Sequence, residues 1–100
     1  MNELGIPIKL DRTRTLLLNP LALQLCQYTF CVKLDSTEFL QAELTLELTR
    51  DLIWSGCAIE DQGLSWETVC HHVTPENYET FHDAIAKAAL RGLGISYQPH

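Results

Sequence analysis

Nothing in this sequence of 100 residues approaches the roughly 18 consecutive apolar residues that a bilayer-crossing helix requires. The opening stretch MNELGIPIKL lacks the basic segment followed by an apolar one that marks a secretory signal. Both absences predict a cytoplasmic protein without a membrane partner. Its four cysteines are then expected to be reduced. No two of them form a C-x-x-C pair, and Cys26 and Cys31 are spaced too loosely to replace one. Cys70-His71-His72, with Cys57 and His82, is the one cluster with metal-ligand chemistry. On a helix, three consecutive side chains point about 100° apart and cannot close on one tetrahedral ion. Cys57 and Cys70 read instead as small core residues, with the histidines at the surface. The expectation is no metal and no cofactor.

The motifs of catalysis are missing too. There is no glycine-rich phosphate loop and no pairing of a nucleophile with a base. Glu60-Asp61 is a carboxylate pair on a turn, where solvation is the ordinary fate. Cys31 or Cys70 with His71 has nothing local to lower a thiol pKa. The segment EDQGLSWE lacks the D-x-[DN]-x-[DN]-G order of a calcium loop. A chain this short also has little room for a walled pocket. The sequence therefore predicts no enzyme and no catalytic residue.

Positive charge is scarce and unevenly placed. Residues 1–34 carry Lys9, Arg12, Arg14 and Lys33 against Glu3 and Asp11, a net of +2. Residues 35–100 carry Arg50, Lys87 and Arg91 against eleven acids, a net of −8. A net charge of −6 excludes the basic surface that nucleic-acid backbones require. Acidic mimicry of DNA is compatible with it; a solvated acidic surface explains it more simply.

What is present predicts one domain over 1–100, with a core from about 5 to 92 and a loose tail at 93–100. A hydrophobic content of 46% supports a small core. The organising stretch is 44–72, a helix, a polar turn and a second helix. Over 46–57 an apolar arc carries Leu46, Leu48, Leu52, Ile53 and Cys57, with Thr49 and Gly56 inside it. The opposite face holds Glu47, Arg50, Asp51 and Ser55, with Trp54 among them. So large a ring on a polar face needs a second cover, such as the helix over 75–91 or another subunit. Gly63 supplies a turn, and Ser65 caps a helix over 66–72.

The remaining segments fit around this unit. Ile6, Ile8 and Leu10 alternate, and RTLLL at 14–18 can extend, so 5–18 reads as a β-hairpin with Pro7 on an edge strand. Asn19-Pro20 starts a helix over 20–30 by a side-chain cap and a proline at the first position. Its stripe is Leu21, Leu25 and Tyr28, widened by Ala22, Leu23 and Cys26. Residues 28–34 read equally as helix or strand, and 37–42 as a short helix. Thr74-Pro75 starts the longest helix, 75–91, with Tyr78, Phe81, Ile85, Ala88 and Ala89 as its stripe and His82 on the rim. Asp83 and Lys87 are spaced to pair on it, and Gly92 ends it. The fold class is mainly α (α+β), a small helical domain with an N-terminal hairpin.

In this order of pieces, IKLDRTRTLLLNPLALQLC, then TRDLIWSGCAIEDQGLSWETVCHHV, then a helix ending AIAKAAL, the chain resembles the small tail assembly chaperones of long-tailed phages and prophages. Their pattern D-L-x-x-L-L-W-A-G-L and H-E-D-P-x-L-T-x-E-x-V is matched by Leu52, Ile53, Trp54, Gly56, Glu60, Asp61, Leu64, Glu67 and Val69. Ser55, Ile59 and Gln62-Gly63 depart from it, and Thr29 is followed by Phe30 where a Thr-Gly often ends the early helix. The resemblance covers about 6–92. It implies a chaperone that holds the apolar, helical tape-measure protein during tail assembly, with the tail-tube protein as a further partner, and a homo-oligomer in the host cytoplasm. Trp54, Arg50, Leu48, Trp66 and Tyr78 are the candidate partner-contacting residues. The competing readings are a small acidic inhibitor of a host nucleic-acid enzyme and a plain oligomerisation module.

Overall fold

The computed structural model describes residues 5–30, 44–61 and 63–92. The expected helix at 37–42, residues 31–34 and the tail 93–100 lie outside the described residues. Strand β1 (Ile6–Lys9) pairs antiparallel with β2 (Thr13–Leu16), Ile6 opposite Leu16 and Lys9 opposite Thr13. Alternation decides which face turns inward: Ile6, Ile8, Leu10, Arg14 and Leu16 are buried, while Pro7 and Lys9 are exposed. The turn closes through Leu10 N donating to the Arg12 carbonyl and Arg12 N donating to Asp11 Oδ1, each at 3.0 Å.

The chain leaves the hairpin through Leu16, Leu17 and Leu18, which are 0%, 1% and 0% exposed. Helix α1 (Pro20–Phe30) follows, with the range its Asn-Pro start predicts. Asn19 Oδ1 accepts from Ala22 N at 2.9 Å, so the cap forms as expected. Residues 28–30, left open between helix and strand, belong to this helix.

Helix α2 (Leu46–Ala58) is the centre of the domain and packs on α1, α3, α4 and β2. Thr45 caps it, its hydroxyl accepting from Leu48 N at 3.1 Å. The expected two-faced helix is instead buried on both sides. Asp51 and Ser55, assigned to a polar face, are 7% and 0% exposed. Their side lies against α1, with Ser55 Oγ beside the Cys26 thiol.

After a turn, Ser65 caps α3 (Trp66–His72), its Oγ accepting from Thr68 N at 3.1 Å. The helix expected over 75–91 starts later. Asn77 Oδ1 accepts from Thr74 N at 2.8 Å, and Asn77 Nδ2 donates to the His72 carbonyl at 2.9 Å. These bonds hold 74–77 in a turn, a local alternative to helix that Asn side chains favour. A 3₁₀ turn, Tyr78–Phe81, then leads into α4 (His82–Gly92). Helix α2, with 13 residues, is thus longer than α4, with 11. The α4 stripe is as expected, with Ile85, Ala88 and Ala89 buried, and Lys87 pairs with Asp83 at 3.0 Å. Among the described residues the domain is mainly α, with four α-helices and one two-stranded sheet. No helix among them is long and apolar enough to cross a membrane.

Two glycines let helices approach the Leu16–Leu18 segment. The carbonyl of Gly56, near the end of α2, accepts from Leu17 N at 3.0 Å. A Cβ on Gly56 would stand 2.5 Å from Leu16 Cδ1 and 3.1 Å from the Leu17 carbonyl oxygen. At Gly92, a Cβ would overlap the Leu18 carbonyl. Exposed helical Gly→Ala changes gain about 1 kcal/mol. Gly56→Ala should have the opposite sign, losing about 1–3 kcal/mol to overpacking. Gly63, whose Cβ would meet only Asp61 Oδ1 at 3.6 Å, is the tolerant comparison. Chemical denaturation of both variants checks this, and a stabilised Gly56→Ala would refute it.

Candidate binding surface

The five residues singled out from the sequence are distributed through the packing. Trp54 is half-buried, and its Nε1–H donates to the Leu64 carbonyl at 3.2 Å. Its cover is α1, not the segment 75–91: Phe30 meets it edge-on, ring centroids 5.8 Å apart at 88°. Phe30 also packs on Trp66 at 4.9 Å, so one aromatic row joins α2, α1 and α3. Trp66 is 37% exposed at the outer end of that row. Arg50 turns inward, Nε donating to the Val73 carbonyl at 2.7 Å and Nη2 to that of Cys70 at 3.2 Å. It satisfies the open carbonyls at the end of α3, where a cation also suits the helix dipole. Leu48 and Tyr78 are half-buried against the core, Tyr78 with its ring 5.5 Å from that of His82. Trp54 and Trp66 share Phe30, while Arg50 is committed to the end of α3.

Among the described residues an apolar surface lies on the outer side of α1. Within the apolar stripe read from the sequence, Ala22, Leu23 and Cys26 are the residues buried, while Leu21, Leu25 and Tyr28 are not. Leu21 is 57% exposed and Tyr28 90%. With Gln24, Leu25 and Gln27 they line a shallow groove. No residue of α1 is charged. The helix is apolar around most of its circumference, so periodicity alone could not choose which side turns inward. The lack of any charge in PLALQLCQYTF was the available signal that neither side is an ordinary solvated face.

A second groove is polar and lies where the hairpin meets the end of α2, lined by Arg12, Arg14, Thr15, Glu60 and Asp61 among others. Arg14 is 8% exposed and grips Asp11 with two parallel bonds, Nε to Oδ1 at 3.0 Å and Nη2 to Oδ2 at 2.8 Å. Its Nη1 also pairs with Asp61 Oδ2, which accepts from Arg12 Nη2 at 2.9 Å. The side-chain bonds from Arg14 hold the Asp11 carboxyl down to about 2, below its ordinary range. Asp11 and Asp61 in turn keep Arg14 firmly protonated. The groove therefore contains cations already matched by anions, a clamp that joins two elements.

The thiols are shielded. Burial pushes Cys26 up to about 11 and Cys57 up to about 12, so neither supplies a thiolate near neutral pH. Cys70 is half-buried on α3, and the rings of His71 and His72 lie 5.2 Å apart at a steep angle. Among the described residues no three His, Cys, Asp or Glu side chains converge as a metal site would require. His82 is held by its partner: Thr49 Oγ1 donates to the Thr45 carbonyl at 2.7 Å, which leaves it to accept from His82 Nε2 at 3.3 Å.

Compared with known proteins, the chain matches no protein-family model, no curated protein and no solved structure.

Two outcomes are expected here. Trp54→Ala should cost about 2–4 kcal/mol in the isolated chain, because it removes a ring packed in an aromatic row and leaves the Leu64 carbonyl unpaired. A denaturation midpoint equal to the wild type would show that Trp54 supports no packing. In double-mutant cycles, Arg14–Asp61 should couple by about 1–3 kcal/mol and Arg12–Asp61 by under about 1 kcal/mol. The difference follows from side-chain exposures of 8% for Arg14 and 65% for Arg12, and equal couplings would contradict it.

Proposed function

We propose that this chain is a non-catalytic binding domain that holds an apolar, helical segment of a partner protein against the outer face of α1. The observation that carries this reading is an uncharged helix presenting Leu21, Leu25 and Tyr28 outward on a chain of net charge −6. Residues at this i, i+4, i+7 spacing form the anchor row that one helix offers another. The partner class follows from the resemblance to tail assembly chaperones: a long, apolar tape-measure protein, held in the host cytoplasm until tail-tube subunits surround it.

The alternatives draw less support. A self-association module could use the same face. Two turns of one helix, however, offer much less than the roughly 800 Å² per partner of a standard interface. Mimicry of DNA by an inhibitor needs ordered, unpaired carboxylates. Asp11, Asp61 and Asp83 are withdrawn from any such array by Arg14, Arg12 and Lys87.

The test is co-expression with fragments of a tail tape-measure protein, followed by binding measurements on purified pairs. The wild-type chain should keep such fragments soluble. Leu21→Ser with Tyr28→Ser should leave the denaturation midpoint nearly unchanged and weaken binding at least about tenfold, or about 1.4 kcal/mol. Undiminished binding by that variant would place the contact elsewhere. Failure to solubilise any fragment would overturn the chaperone reading.

A further inference from the structure

The seam between α1 and α2 contains polar groups that the fold leaves badly matched. Asp51 is 7% exposed, and among the described residues no ion pair or hydrogen bond reaches its carboxylate. Ser55, one helical turn on, is fully buried with its hydroxyl unpaired by ordinary geometry; the Cys26 thiol beside it is a weak partner. Across the seam α1 brings no charge, and Cys26 is the group of that helix that meets Asp51 electrostatically. From its own helix Glu47 adds a second negative charge. Of the cations on the other elements packed against α2, Arg14 of β2 is committed to Asp11 and Asp61 and Lys87 of α4 to Asp83, while Arg91 in the last turn of α4 is exposed. Arg50 of α2 itself is committed to the end of α3. His82 is engaged with Thr49, while the α3 groups Glu67 and His71 are exposed.

We propose that α1 is a movable cover on α2, and that the negative charge of Asp51 drives its opening. Three features support local opening. Among the described residues the helix leans chiefly on α2. It has 11 residues, too few to persist alone in water. Its buried side combines the small or apolar Ala22, Leu23 and Cys26 with the mismatched polar groups of α2. Opening returns the carboxylate to water and separates the aromatic row at Phe30. It also bares the inner side of α1 and Trp54, which would enlarge the apolar contact. That last consequence rests on the binding role proposed above; the opening itself does not.

The sign of the pH dependence follows from burial. Burial, and then Glu47, raise the Asp51 carboxyl in the closed form to about 6. In the open form it is solvated, with an ordinary value of about 4. The closed form therefore binds the proton more tightly. Acid seats α1, and the opening constant rises about tenfold per pH unit between roughly 4 and 6, then levels off above that range.

Hydrogen exchange of the full chain, corrected for intrinsic amide chemistry, provides the test. At pH 7 the α1 amides should open at least about tenfold more often than those of Leu52 and Ile53. Their opening should fall on acidification to pH 4.5, and Asp51→Asn should abolish that fall while slowing α1 exchange at pH 7. Glu47→Gln is the milder variant and should shift the transition to lower pH. Equal protection of α1 and the α2 centre, α1 opening that does not vary with pH, or faster α1 exchange in Asp51→Asn would each overturn the proposal. Adding a soluble apolar tape-measure fragment separates the two ideas. If it leaves α1 exchange unchanged while the pH dependence persists, the cover stands and only its role in binding fails.

Discussion

The fold depends on how closely two helices can approach one extended segment. Leu16, Leu17 and Leu18 leave the hairpin and are enclosed almost completely. They meet the end of α2 at Gly56 and the end of α4 at Gly92, where a side chain on either helix would collide. One backbone bond, Leu17 N to the Gly56 carbonyl, fixes the register. That carbonyl is among the last four of its helix and has no partner within it, so the strand exit doubles as a helix cap. A two-stranded hairpin is marginal in water. Here its apolar face and its exit strand are both covered by helices, which is why it persists.

The charge asymmetry of the sequence has a local expression in the same region. The basic N-terminal third places Arg12 and Arg14 on the hairpin, and the acidic remainder offers Asp61 just beyond α2. Arg14 is nearly buried, which is tolerable only because its guanidinium is matched by two carboxylates, one of them bidentate. The clamp thus fixes the hairpin to α2 at one end, while the glycine contact fixes it a few residues away. Together they make the hairpin, α2 and α4 one packed body. Helix α1 is outside this arrangement and, among the described residues, packs mainly on α2.

Much of this was legible because it rests on local rules. Asn19-Pro20 gave the start of α1, Ser65 caps α3 as expected, and alternation at Ile6, Ile8 and Leu10 gave the buried side of the hairpin. The errors arose where a tertiary contact or a side-chain bond decides. Thr74-Pro75 promised a helix, but the Asn77 side chain bonded back to Thr74 and to the His72 carbonyl and held a turn. Asp51 and Ser55 are polar, so α2 read as two-faced; only the position of α1 reveals that their side is covered. For α1, both sides are apolar, so the stripe could not show that Ala22, Leu23 and Cys26 turn inward and Leu21 and Tyr28 outward. The cover of Trp54 differs from the expected one for a related reason. Trp54 was conspicuous as a large ring among charges, and no local rule could show that Phe30 covers it.

This distribution bears on what a resemblance of motifs can carry. The positions that match the tail-chaperone pattern are largely packing positions: Leu52 and Ile53 are fully buried, Gly56 is a close approach, and Leu64 supplies both a buried side chain and the carbonyl that accepts from Trp54. Such residues specify a scaffold, and a shared scaffold does not by itself specify a shared partner. On the reading proposed above, partner choice would rest on the exterior of α1 and on the seam beneath it, where the described residues depart from a well-matched core. Burying Asp51 with no paired cation among the described residues sacrifices stability that an apolar residue would retain. Leaving Leu21 and Tyr28 in water adds an apolar surface that solubility does not require. Both departures fall on the same helix, on its two opposite sides. A helix that is weakly seated within and apolar without is poorly suited to being permanent core and well suited to exchanging one apolar contact for another.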